Sequence, residues 1–100
     1  MFFSTRCVFR WIGHEGQPYE ERITLWQAES LDGAVALGEK EAVRYAKEWG
    51  YEYAGFCQAF EILDEEVSSG AEVFSLLRDS DLAPEEYVSR FFDTGKERQS

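Results

Sequence analysis

The sequence predicts a single α+β domain with a ββαβ core: an antiparallel sheet of three to four strands, one long amphipathic helix and a short C-terminal helix. Three observations predict it. Two stretches of alternating polarity, rich in aromatic and β-branched residues, flank a glycine-bearing turn near the N-terminus, as a hairpin requires. A long segment with small apolar residues at helical spacing follows, opened by a serine and closed by a glycine. A third alternating stretch comes next, so the helix reads as a crossover that returns the chain to the sheet.

Phe2 to Ile12 sets Phe3, Cys7, Phe9 and Trp11 at one parity and Arg6, Val8 and Arg10 at the other, the signature of a half-buried strand. Gly13 to Pro18 has turn composition. The second strand is expected from Tyr19 to Ala28, with Tyr19, Ile23 and Leu25 toward the core and Glu20, Arg22, Thr24 and Trp26 on the far face. A symmetrically closed hairpin brings Arg10 near Glu20 and Val8 near Arg22.

Ser30 can accept from the amides of a first helical turn, and Asp32 complements its positive end. Ala34, Gly38, Ala42, Tyr45 and Trp49 then recur at helical spacing, with Leu37 and Ala46 beside them and Glu39, Lys40, Arg44 and Lys47 opposite. The helix is expected to end near Gly50. Its small residues predict close packing on a sheet. The third strand, Tyr53 to Leu63, is apolar at both parities, which predicts a central position.

After Asp64-Glu65-Glu66, the stretch Ser68 to Leu77 reads as a junction: Gly70 turns the chain, and Val73, Phe74, Leu76 and Leu77 return it to the core. Pro84-Glu85-Glu86 opens a short helix carrying Tyr87, Val88, Phe91 and Phe92. Residues 1–93 form the domain, and 94–100 are a polar tail.

Twenty acids against ten bases give a net charge of -10, which disfavours nucleic acid and favours basic partners. The N-terminus lacks the pattern of a secretory signal, and no apolar run approaches the ~20 residues that cross a bilayer. The expected location is cytoplasmic, with no membrane contact. Cys7 and Cys57 lack the close spacing of a zinc or redox motif, and in a reducing compartment such a pair is expected to stay as thiols within strands.

Tyr19-Glu20-Glu21-Arg22-Ile23, Gln27-Ala28-Glu29-Ser30, Phe60-Glu61-Ile62-Leu63-Asp64 and Gly70-Ala71-Glu72-Val73-Phe74-Ser75, in that order, resemble the bacterial family called domain of unknown function 4288. The resemblance spans roughly residues 5 to 77. It implies a small bacterial α+β unit without an assigned activity. The family's asparagine, glycine and tryptophan before the third strand are replaced here by Tyr53-Ala54-Gly55-Phe56-Cys57-Gln58-Ala59-Phe60.

No catalytic set emerges. Glu20-Glu21 would point to opposite faces of a strand, and Asp64-Glu65-Glu66 forms a solvated run. Asp64, Glu65, Glu66 and Glu72 match no compact cation loop, His14 is a lone histidine between glycines, and no phosphate-binding glycine loop occurs. No cofactor or metal is expected. The leading expectation is a non-enzymatic protein-binding module, either a homodimer or an immunity- or antitoxin-like domain that masks a basic surface. Candidate binding residues are Trp11, Glu21, Trp26 and Glu72. The alternative is a small enzyme or ligand binder using Glu21, Asp64 or Glu72 in a cleft beside Trp11.

Overall fold

A computed structural model describes residues 1–13, 15, 16, 18–63, 67–74, 77 and 79–91. Its elements run β1 (Phe2–Arg10), β2 (Tyr19–Gln27), α1 (Leu31–Trp49), β3 (Glu52–Ile62) and α2 (Pro84–Phe91). The sheet is antiparallel throughout, in the order β2-β1-β3. The ββαβ core of an α+β fold is therefore present, with three strands among the described residues. His14, Asp64, Glu65, Glu66, Leu76, Phe92 and the tail lie outside them.

β1 is the central strand, and β3 is an edge. The expectation of a central β3 fails because its two apolar faces are covered in different ways: α1 lies on one, and Phe74 from the following segment meets Phe60 edge-on at 4.7 Å on the other. An edge strand covered on both sides carries the same apolar pattern as a central one.

β1 delivers the core. Phe3 and Phe9 are fully buried beneath α1, together with Thr5 and Cys7, and each buried aromatic contributes roughly 2–3 kcal/mol of transfer free energy. The helix can approach because its buried stripe is Ala34, Gly38, Ala42 and Ala46, four small residues at a four-residue repeat. Both helix ends follow the sequence: Ser30 Oγ accepts from the Gly33 amide at 3.0 Å, and Gly50 closes the helix in the left-handed region at φ 71°. Trp49, placed by periodicity in the apolar stripe, is exposed, whereas Ala46 in the same turn is buried against the core.

The hairpin register differs by one residue from symmetric closure. Arg10 pairs with Tyr19, Phe9 with Glu20, Val8 with Glu21 and Cys7 with Arg22. A slip of one residue moves every side chain of a strand to the other face. Accordingly Glu20, Arg22, Thr24 and Trp26 lie on the helix side, while Ile23 and Leu25 face away from it at 47% and 45% exposure.

β3 carries a wide bulge. Cys57 pairs with Cys7 and Tyr53 with Phe9, so the three residues 54–56 stand opposite the single residue Val8. Gly55 makes this possible by adopting φ 77°, where a Cβ would be strained.

The junction after β3 does part of what its sequence implies. Gly70 turns at φ 88°, and Phe74 packs on Phe60 with the Arg6 guanidinium 5.3 Å from its ring centre. Leu77, expected on the core, is 96% exposed.

Candidate functional site

The four candidate residues do not converge. Trp11 stacks on Tyr51, with centroids 4.9 Å apart and planes 9° from parallel, and its indole donates to Glu20 at 3.3 Å. Trp26 lies under the helix, donating to Thr5 Oγ1 at 3.0 Å and Thr24 Oγ1 at 2.9 Å. Glu21 is on the opposite face, paired with Arg6 at 3.5 Å. Glu72 lines a cleft of about 540 Å³ with Glu61, Phe60, Phe74, Met1 and Leu31.

Trp26 is corrected by this geometry. Expected on the sheet face away from the helix, under the C-terminal segment or against another chain, it is instead turned by the observed register to the helix side, where its N–H has two hydroxyl acceptors. Its indole is partly buried with the donor satisfied within the fold.

The densest polar cluster was not foreseen. Arg22 reaches across from β2 to Glu41 on α1 at 3.0 Å, and its guanidinium sits 4.0 Å from the ring centre of Tyr45. Tyr45 donates to Glu20 at 2.8 Å, while Phe9 meets the Tyr45 ring edge-on at 4.9 Å. Glu41 also accepts from Arg44, at 2.8 and 2.9 Å, and Arg44 extends the chain to Glu48. The hydrogen bonds from Arg44, then those from Arg22, hold the Glu41 carboxyl below its ordinary range. Burial, followed by the nearby Glu20 carboxylate, pushes the Tyr45 phenol up to about 12. A neutral phenol bonded to a carboxylate stays a hydrogen-bond donor at neutral pH, so the cluster joins α1 to β2.

A second cluster lies under the middle of α1. Cys7 and Cys57 face each other across β1 and β3, with their thiols directed to the Gly38 and Val35 carbonyls at 3.9 and 4.0 Å. Burial pushes Cys7 up to about 12, and burial raises Cys57 as well. Both are free thiols. Tyr53 stands beside Cys7 with its hydroxyl buried and no well-formed hydrogen bond, and burial raises its phenol too.

The acid cleft of the alternative expectation is not assembled from Glu21 and Glu72. Glu21 is held by Arg6 on the outer face, and the cleft that Glu72 lines has Glu61 as its other carboxylate. Trp11 is not among the residues lining it. Among the described residues no group of three or more His, Cys, Asp or Glu is placed to hold a metal ion, and no helix is long and apolar enough to cross a membrane.

The outer face of the sheet is divided. On its β3 side Phe74 packs on Phe60, and Ser4 and Ile62 are buried. On its β2 side Tyr19, Ile23 and Leu25 are exposed beside the Arg6–Glu21 pair, along a strand whose other edge carries no strand among the described residues. The signal for this surface was present in the alternation of β2, but its direction depended on the register. Compared with known proteins, the chain matches no family profile, no curated protein and no solved structure.

Proposed function

We propose that this protein is a non-enzymatic, cytoplasmic protein-binding module, and that the β2 half of the outer sheet face is its contact surface. The observation that carries the reading is the apolar row Tyr19, Ile23 and Leu25, exposed on a strand that is also a sheet edge. Exposed apolar rows on open strands favour association, either face to face or by strand addition. The surrounding charge of -10 favours a basic partner over a second copy of the chain, as in the immunity- or antitoxin-like version of this function. Kinship with domain of unknown function 4288 belongs to the same proposal and adds a bacterial setting.

Affinity capture from the native host, at low and moderate salt, tests it. A basic protein should be retained by the wild type and lost with Ile23→Lys and Leu25→Lys together, while the far-ultraviolet spectrum and melting temperature stay unchanged. Retention of the same protein by the folded double variant would remove the face from the proposal.

A second reading rests on the cleft lined by Glu61, Glu72, Phe60 and Phe74. It keeps Glu72 as a ligand-contacting residue and releases Glu21 from that role. Glu72→Gln, with stability intact and the basic partner still bound, would leave the cleft as the separate site to probe.

A further inference from the structure

We propose that Cys7 and Cys57 form a reversible disulfide that staples β3 to β1 when the protein is exposed to a peroxide. The two residues are register partners on adjacent antiparallel strands. Such partners have Cα atoms about 4.5–5.5 Å apart, inside the span of about 4.4–6.8 Å that a disulfide needs. Their side chains point to the same side of the sheet, both toward α1, where the thiols are directed to the carbonyls of Gly38 and Val35, one helical turn apart. The bulge beside them, with Gly55 in the left-handed region, supplies slack for the small approach that an S–S bond requires.

Unequal exposure assigns the two roles. Cys7 is on the central strand and 4% exposed, whereas Cys57 is on an edge strand and only partly covered. Peroxide therefore meets Cys57 first. The Cys57 sulfur attacks one peroxide oxygen, the O–O bond breaks, and Cys57 becomes a sulfenic acid while one water leaves. The Cys7 sulfur then attacks the Cys57 sulfur, the S–O bond breaks, and the Cys7 proton leaves with the hydroxyl as a second water. Two thiols have lost two electrons and two hydrogens, and the peroxide has taken them up as two waters. A dithiol reductant reverses the bond. Burial of both thiols makes the first step slower than for a free cysteine.

The closed loop, residues 7–57, encloses the hairpin turn, β2 and α1, so the oxidised chain has lost most of its unfolded-state freedom across the core. Both thiols lie on the side of the sheet opposite Ile23 and Leu25. The staple accordingly acts on stability and leaves the proposed contact face unchanged, so this inference stands apart from the binding reading.

Hydrogen peroxide in excess, followed to completion on the folded protein, provides the test. The expected product is a monomer lighter by two hydrogens, with a single Cys7–Cys57 cross-linked peptide and a melting temperature raised by on the order of 10 °C. A dithiol should restore the original mass and melting temperature. In Cys7→Ser the reaction should stop at Cys57 as a sulfenic acid that a dione reagent traps, and in Cys57→Ser the Cys7 thiol should survive. If a variant fails to fold, the wild-type mass and peptide map still decide. Sulfinic acid at Cys57 beside an intact Cys7 thiol, disulfide-linked dimers, or two unreacted thiols where the denatured chain oxidises fully would each overturn the proposal.

Discussion

Gly38 of α1 lies so close to Thr5 of β1 that a Cβ built on the glycine would stand 2.7 Å from Thr5 Oγ1 and 2.9 Å from Thr5 Cβ. Thr5 cannot yield easily. It is fully buried, and its hydroxyl is engaged by Thr24 at 2.9 Å and by Trp26 at 3.0 Å. The helix is thereby seated on the central strand at a point where only hydrogen fits.

Gly38→Ala sets two effects against each other. Better helix propensity favours alanine by about 1 kcal/mol, while overpacking a closed core costs typically 1–3 kcal/mol, and roughly the upper half of that range fits a contact with three atoms of one side chain. Net destabilisation of about 1–2 kcal/mol is expected in urea denaturation. Pairing Gly38→Ala with Thr5→Ser removes the methyl contact, one of the three close approaches, and should recover part of the loss. A more stable single variant would show that the helix does not sit where described.

Arg22 bridges β2 and α1 through a carboxylate and an aromatic face at once. Arg22→Ala is expected to cost about 1–3 kcal/mol by thermal melting, and Arg22→Lys to recover only a small part, because an ammonium cannot stack flat on Tyr45 while bonding Glu41.

Acid should weaken the same junction. The Glu41 carboxyl is held below its ordinary value of 4.5 in the folded chain, so its contribution is complete above that value and is lost as pH falls through the lower folded value. The stability curve of Glu41→Gln should be flatter than that of the wild type below about pH 4.5. Parallel curves would place the acid sensitivity elsewhere.

Alkali acts on Tyr45. Its folded phenol titrates at about 12 against an ordinary 10, so its contribution is complete below pH 10 and disappears as pH rises through 12. Tyr45→Phe should reduce the loss of stability over that interval. At neutral pH it should cost about 1 kcal/mol for the lost bond to Glu20.

Ile23→Lys and Leu25→Lys lie on the exposed side of an edge strand, where substitutions usually change stability by no more than about 0.5 kcal/mol. Under the register predicted from symmetric closure the same changes would bury two lysines and unfold the protein. Chemical denaturation of the pair therefore tests the register as well as preparing the binding experiment.

What the sequence determined by itself is local. Ser30 and Gly50 fix the ends of α1 because their roles depend on neighbouring amides and on a left-handed backbone that glycine adopts without strain. The four-residue repeat of alanine and glycine marks the buried stripe for the same reason, since helical geometry alone brings those residues to one face. Gly70 and Phe74 were legible as a turn and a return to the sheet.

The direction of β2 was not legible, because both of its parities carry large side chains and a strand's period of two makes either assignment self-consistent. Tertiary structure decided it. Glu20, Arg22 and Trp26 can face inward only because α1 and β1 supply Tyr45, Glu41 and Thr5 as partners, and those partners are distant in sequence. Candidate sites inherited the same dependence: Trp26 moved under the helix, Glu21 moved to the outer face, and the apolar row that carries the proposed function came to the surface. A one-residue shift in pairing, invisible to periodicity, determines which side of this strand is core and which is contact surface.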